Sequence, residues 1–277
     1  MPIFRSPLAS SLGTAPDADA SIYIASAGVT KLEQQIGINK LIAYLKTESL
    51  WTTLGGGFLF GNDVQKSTGT TLIDLKAGAS ATLTGGAHGQ SGILLTGANA
   101  DQISFGARTF TLNYMPSVYL LFASYIKTGS ATSSRINFGP LSSGSNYRGF
   151  QPHTHNQLSN TTLVHLQTYR GDGNRYLGSD SIGAQTLNGN FVGAAFSSSN
   201  QLIIGGQNAQ ANSSTSSAAT TMTFAAGATW LLGPFENAST TSTEITIASA
   251  CLFWDSNITI TQRQTSDIDS LIRTFAL

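Results

Sequence analysis

The sequence predicts a mainly β protein, an antiparallel two-layered sandwich entered through a helical segment and closed by a short C-terminal helix. Three observations carry this prediction. From residue 57 onward, short apolar-alternating or β-branched runs recur between Gly, Asn, Ser and Asp clusters at roughly the 8–12-residue spacing of sandwiches and barrels. Two of these runs, 118–127 (with Ser117, SVYLLFASYIK) and 244–253, are apolar on both faces and so belong in the middle of a sheet. In the second, Ile245, Ile247, Ser249, Cys251 and Phe253 alternate with Thr246, Ala248, Ala250, Leu252 and Trp254. Finally, Thr261 is placed to cap a helix whose Ile268, Leu271, Ile272 and Phe275 fall at i, i+3, i+4 and i+7, one apolar stripe that lays the chain's end back onto a sheet.

The totals agree with one large β domain, since 277 residues bury a full core without a second domain. Charged residues are only 10% of the chain, against roughly 25% in an average globular protein, so hydroxyls and amides must carry solubility. Lys+Arg and Asp+Glu both number 14; with no basic excess, nucleic acid and anionic membranes are not expected partners. Cys251 falls within a buried strand and is expected to behave as a small apolar group. The opening residues lack the apolar core of a secretory signal, and no run approaches 18 apolar residues, so neither secretion by a leader nor membrane insertion is expected.

In order, residues 1–19 carry Pro2, Pro7 and Pro16 and read as an extended arm suited to a neighbouring subunit, the alternative being a disordered terminus. Residues 20–56 read as a helical entry. A short helix ends at Gly28, and a longer one, capped by Thr30, carries Ile36, Ile38, Leu41, Ile42, Leu45 and Trp51 near the 3.6 period until Gly55 to Gly57 break it. Residues 57–277 form the sandwich. Its strands are expected at 57–60, 70–75, 81–84, 92–95, 102–105, 109–114, 118–127, 135–138, 163–170, 191–196, 201–204, 221–224, 229–232 and 244–253. Asp172-Gly173 marks a hairpin between 163–170 and 174–177, while 209–219, AQANSSTSSAA, reads as a long exposed loop.

Four landmarks then resemble a known family. The entry DASIYIASAGVTKLEQQIGINKLIAYLKTESLWTTL, the apolar run SVYLLFASYIKTG, the segment FVGAAFSSSNQLIIGGQNA and the closing ITIASACLFWDSNITITQRQTSDIDSLIRTF are similar to parts of the concanavalin A-like lectin/glucanase jelly roll. The likeness is to the laminin G-like domains of bacteriophage structural proteins. It implies a jelly roll, residence in a virion, other virion proteins as partners of the arm, homo-oligomerisation and binding of host-surface glycans. The family's calcium-binding acidic pattern is not matched, and no cofactor is expected.

Glycan-cleaving members of that fold use carboxylates two apart on one strand. None of Glu33, Glu48, Glu236 and Glu244 is followed two residues later by Asp or Glu; Asp267 and Asp269 lie in the terminal helix, where that spacing points them apart. No nucleophile elbow, P-loop or zinc-protease motif occurs either. The sequence therefore predicts a chain that is not an enzyme. Its metal candidates are His153 and His155 of QPHTHNQ, which on a strand would share a face and in a trimer could supply six nitrogens on the axis, whereas Pro152, Asn156 and Asn160 favour a solvent loop. Arg170-Gly171-Asp172 is accounted for by the hairpin. Candidate ligand-binding residues are Tyr147, Arg148, Phe150, Tyr169, Arg175 and Tyr176, aromatic faces beside guanidinium donors; Trp51, Trp230 and Trp254 read as core anchors. The expected function is a structural or adhesive component of a phage particle, as tail, fibre or capsid-surface protein. The alternatives are a glycan-cleaving enzyme of the same fold and a stand-alone lectin.

Overall fold

The computed structural model describes residues 16–65, 69–96, 101–108, 116–125, 133–140, 149–156, 162–169, 175–184, 191–197, 201–205, 214–215, 227–233, 245–255 and 258–277. The strands form two antiparallel sheets. The eight-stranded sheet runs β15 (Ser214–Thr215), β14 (Gln201–Gly205), β13 (Phe191–Ser197), β7 (Val118–Tyr125), β17 (Ile245–Trp254), β5 (Gly92–Thr96) and β4 (Ala87–Gly89), with β1 (Leu54–Leu59) also paired to β17. The nine-stranded sheet runs β12 (Arg175–Ala184), β11 (Thr162–Tyr169), β10 (Gly149–Asn156), β9 (Asn137–Pro140), β16 (Ala228–Gly233), β6 (Gln102–Arg108), β3 (Ser80–Thr84) and β2 (Thr71–Ile73), with β8 (Ser133–Arg135) against β10. Three helices complete the described chain: α1 (Ala18–Ala27), α2 (Leu32–Thr47) and α3 (Gln262–Ala276).

The two central strands, β7 and β17, are apolar on both faces because each face meets a different layer. Leu120, Phe122, Cys251 and Phe253 enter the space between the sheets, with Phe105, Phe138 and Trp230 from the other side. Tyr119, Leu121, Leu252 and Trp254 face the helices, packed with Tyr23, Ile38, Leu41, Ile268 and Ile272. The order is therefore helices, eight-stranded sheet, nine-stranded sheet. The inter-sheet core centres on aromatic rings: Phe138 lies 5.2 Å from both Trp230 and Phe253, and Phe105 lies 5.3 Å from Phe253, tilted and edge-on arrangements that add to simple burial. Across this core, the exposed Ser80, Thr82 and Thr84 of β3 alternate with buried Ala81 and Leu83, so at that strand the far face of the nine-stranded sheet meets solvent.

The helices follow from local chemistry. Gly28 takes φ 67°, the left-handed conformation that closes α1, and its amide donates to Ala25 and Ile24 carbonyls. Thr261 caps α3 through a reciprocal capping box with Gln264. At Gly37 a β-carbon would sit 2.3 Å from the Phe275 ring, so α2 and α3 approach closely only without a side chain there.

Several expectations need correction. The cap of α2 is Lys31, not Thr30, and it makes no side-chain capping bond. The helix ends at Thr47, leaving Trp51 in the following turn. Strict alternation along β17 fails because its pairing with β7 shifts register between Ala248 and Ala250. Ala248 therefore shares the inter-sheet cluster with Cys251 and Phe253, although an unbroken strand would set it opposite them. The extra residue, Ser249, is buried and donates its hydroxyl to the Ser91 carbonyl. Residues 152–156 form part of β10, not a loop, and Arg175 and Tyr176 begin β12. The expected strands at 109–114 and 221–224 lie outside the described residues, as does most of 209–219.

Candidate functional site

Two places concentrate polar chemistry beyond what packing needs. The first is the far face of the nine-stranded sheet. Buried Phe138 pairs with Phe150, which puts positions 150, 152 and 154 on the sandwich side of β10 and 151, 153 and 155 on the far side. Register carries this parity across the sheet: Gln151 opposes Gln167, His153 opposes His165, Gly149 opposes Tyr169, and Tyr169 opposes Arg175. On the other flank of β10, Arg135 opposes His153 and Ser133 opposes His155. These far-face positions thus hold amides, imidazoles, guanidinium groups and one phenol, together with Leu163 opposite His155 and Leu177 opposite Gln167.

The candidate ligand-binding residues divide between the two faces. Phe150, Thr168 and Tyr176 share one register row on the sandwich side, whereas Tyr169 and Arg175 share a row on the far side. Tyr147 and Arg148 lie outside the described residues. Trp230 and Trp254 are fully buried, and the Trp254 indole donates to the Leu50 carbonyl at 2.9 Å. His153 and His155 stand two apart on one face. The strand register also sets His165 directly across from His153. Among the described side chains, no group of three or more His, Cys, Asp or Glu is placed to hold a metal.

The second place lies at one end of the sandwich, where β1, the β2–β3 turn, β6 and β17 converge. The Arg108 guanidinium spans both sheets, donating to the Phe105 carbonyl at 3.1 Å and the Gly55 carbonyl at 3.0 Å, with its carbon 5.5 Å from the Phe253 ring. The Lys76 ammonium donates to the Leu54 carbonyl at 2.6 Å and lies 5.8 Å from the half-buried Trp51 ring, which Lys46 approaches at 5.5 Å. Asp74 is buried and accepts from the Lys76 and Gly57 amides at 2.7 and 3.3 Å. Burial raises its carboxyl above the ordinary range despite those bonds and the fields of Arg108 and Lys76. Asp255 stands exposed at the end of β17, yet desolvation along one side raises it too, with Arg108 and Lys76 opposing. Two carboxylates 181 residues apart (255 − 74) thus share the same two cations, a convergence that strand spacing does not encode.

Other polar groups serve packing. Asp269 accepts from the Tyr119 hydroxyl at 2.7 Å and Arg273 Nε at 2.6 Å, while Arg273 Nη2 reaches the Phe191 carbonyl at 2.9 Å; together they fasten α3 to β7 and β13. Cys251 is fully buried, and desolvation holds its thiol well above its ordinary value, so it behaves as the small apolar group expected.

No protein-family model and no curated protein matches the sequence. Among solved structures, a Trypanosoma rangeli sialidase in complex with a difluorinated nononic acid is similar at TM-score 0.51 and 12% identity, over 78% of this chain and 32% of that one. A mutant of the same sialidase displaying trans-sialidase activity gives TM-score 0.51 and 11% identity, over 88% and 40%. A receptor binding domain gives TM-score 0.53 and 9% identity, over 82% and 53%. What these share with the present chain is the β-sandwich fold. The chain spans about a third of the first sialidase's length and half of the receptor binding domain's.

The likeness supports the sandwich predicted from sequence, without extending to a jelly roll of phage proteins. It also corrects the expectation that the chain is not an enzyme, because the solved structures resembling it include sialidases. Carboxylate spacing along one strand does not bear on pairs assembled from distant strands, so its absence does not exclude catalysis.

Proposed function

We propose that the chain is a glycan-recognising β-sandwich domain carried on a phage-like particle. The observation that carries the reading is the far face of the nine-stranded sheet, whose register rows collect Gln151, Gln167, Tyr169 and Arg175 beside the apolar Leu163 and Leu177, with no Asp, Glu or Lys among them. Amides and hydroxyls match the alternating donors and acceptors of a polyol, and a phenol supplies an apolar plane for a sugar ring. A sandwich fold shared with sialidases supports the same class of ligand. The particle rests on the four landmarks that resemble phage structural proteins.

The test is binding of the intact chain to a glycan array, with Tyr169→Ala and Gln167→Ala alongside. Retention of a defined set of glycans, lost in both variants, is the expected result; an array on which nothing is retained would remove the reading. A second reading, glycan processing, is favoured by the raised Asp74 and Asp255 beside Arg108. Release of reducing ends from a bound polysaccharide, abolished in Asp255→Asn, would establish it; equal release by the variant would exclude this cluster as its source.

A further inference from the structure

Beyond glycan recognition, the register of β10 and β11 brings three histidines to neighbouring positions on one face. His153 and His155 are two apart on β10 and therefore share a face, and His165 of β11 is the direct cross-strand partner of His153, hence on that face too. Directly opposed residues have their β-carbons about 4.5–5.5 Å apart, and residues two apart along a strand are separated by about 6.5–7 Å. The three attachment points thus form a compact triangle. No other histidine belongs to it, since His88 lies on β4 of the other sheet.

We infer that His153, His155 and His165 form a binding site for one divalent transition-metal ion of the zinc class, assembled within a single chain on the far face of the nine-stranded sheet. Three neutral imidazoles with a fourth position left to water are a ligand set suited to zinc, at nitrogen–metal distances of about 2.0–2.1 Å. Imidazole also suits copper, nickel and cobalt, whereas magnesium and calcium, which take oxygen ligands, are disfavoured. Arg135 and Ser133 occupy the flanking register positions opposite His153 and His155. The site differs from one shared on a trimer axis, which needs two imidazoles from each of three chains and makes no use of His165.

The experiment uses the intact chain, stripped with a chelator and titrated with zinc by calorimetry and with cobalt by visible absorption. The expected result is one ion per chain, an absorption spectrum of low-coordinate cobalt, and a melting temperature raised by zinc. His153→Gln, His155→Gln and His165→Gln should each weaken binding at least tenfold, while His88→Gln leaves it unchanged. Melting of each variant without metal separates loss of a ligand from loss of the fold, and should one variant not fold, the other two decide. Absence of saturable binding, wild-type affinity in His165→Gln, or one ion per three chains would each overturn the site.

Discussion

Asp269 shows how a single polar residue can fasten the fold. It is 2% exposed and accepts from both Tyr119 and Arg273, so Asp269→Ala leaves a buried phenol and a nearly buried guanidinium without their acceptor. Breaking such a pair from one side costs about 3–5 kcal/mol. Urea denaturation of the variant should show a loss of about 3 kcal/mol, and a loss under 1 kcal/mol would mean that the contact is dispensable. Asp255 makes the opposite contribution. Because its folded-state carboxyl is raised above the ordinary value of 3.8, the ionised form is disfavoured by folding, and stability falls as pH rises through the carboxylate range. Asp17 runs the other way: burial pushes it up, but the Lys46 ammonium at 2.7 Å and the Asp19 amide outweigh this, so it contributes stability that is lost as pH falls below its ordinary value. Melting temperatures followed against pH should therefore show a shallower decline between acid and neutral pH in Asp255→Asn than in the wild type. Superimposable curves would contradict the assignment.

At the scale of elements, legibility depended on whether a pattern is local. Helix α3 was legible in full because its cap, its stripe and its length are all local, and Thr261→Ala should cost about 1 kcal/mol of stability in denaturant titration. The central strands β7 and β17 were legible as buried on both faces because nothing charged interrupts them. Within β17, the register shift at Ser249 was not, since a bulge is set by the partner strands and not by the residues bulging. Strand β10 was hidden by Pro152, which removes a ladder donor and argues against a strand interior. The structure accommodates it where the neighbour on one side changes: pairing with β9 is at Phe150 and that with β8 begins at His153.

The molecule as a whole is a layered body whose central sheet is covered on both sides. Its aromatic core makes one prediction: Phe138→Ala should destabilise by about 3–5 kcal/mol in denaturant titration, because the ring touches Phe105, Trp230 and Phe253 at once. The sandwich was legible because alternation and turn residues recur along the chain. The candidate site was legible only in part. Residue types and the His-x-His spacing could be read, but which face each residue occupies depends on cross-strand register. That register separates Phe150 and Tyr176 from Tyr169 and Arg175, brings His165 to His153, and lies outside any single stretch of sequence. Likewise, the environment shared by Asp74 and Asp255 exists only after the sandwich closes. The account's central claim is that the far face of the nine-stranded sheet receives a glycan. Hydrogen exchange of the intact chain, with and without a saturating glycan chosen from the array, tests it most directly. The account predicts slowed exchange confined to amides of β10, β11 and β12; slowing confined to the helices and the eight-stranded sheet, with those three strands unchanged, would contradict it.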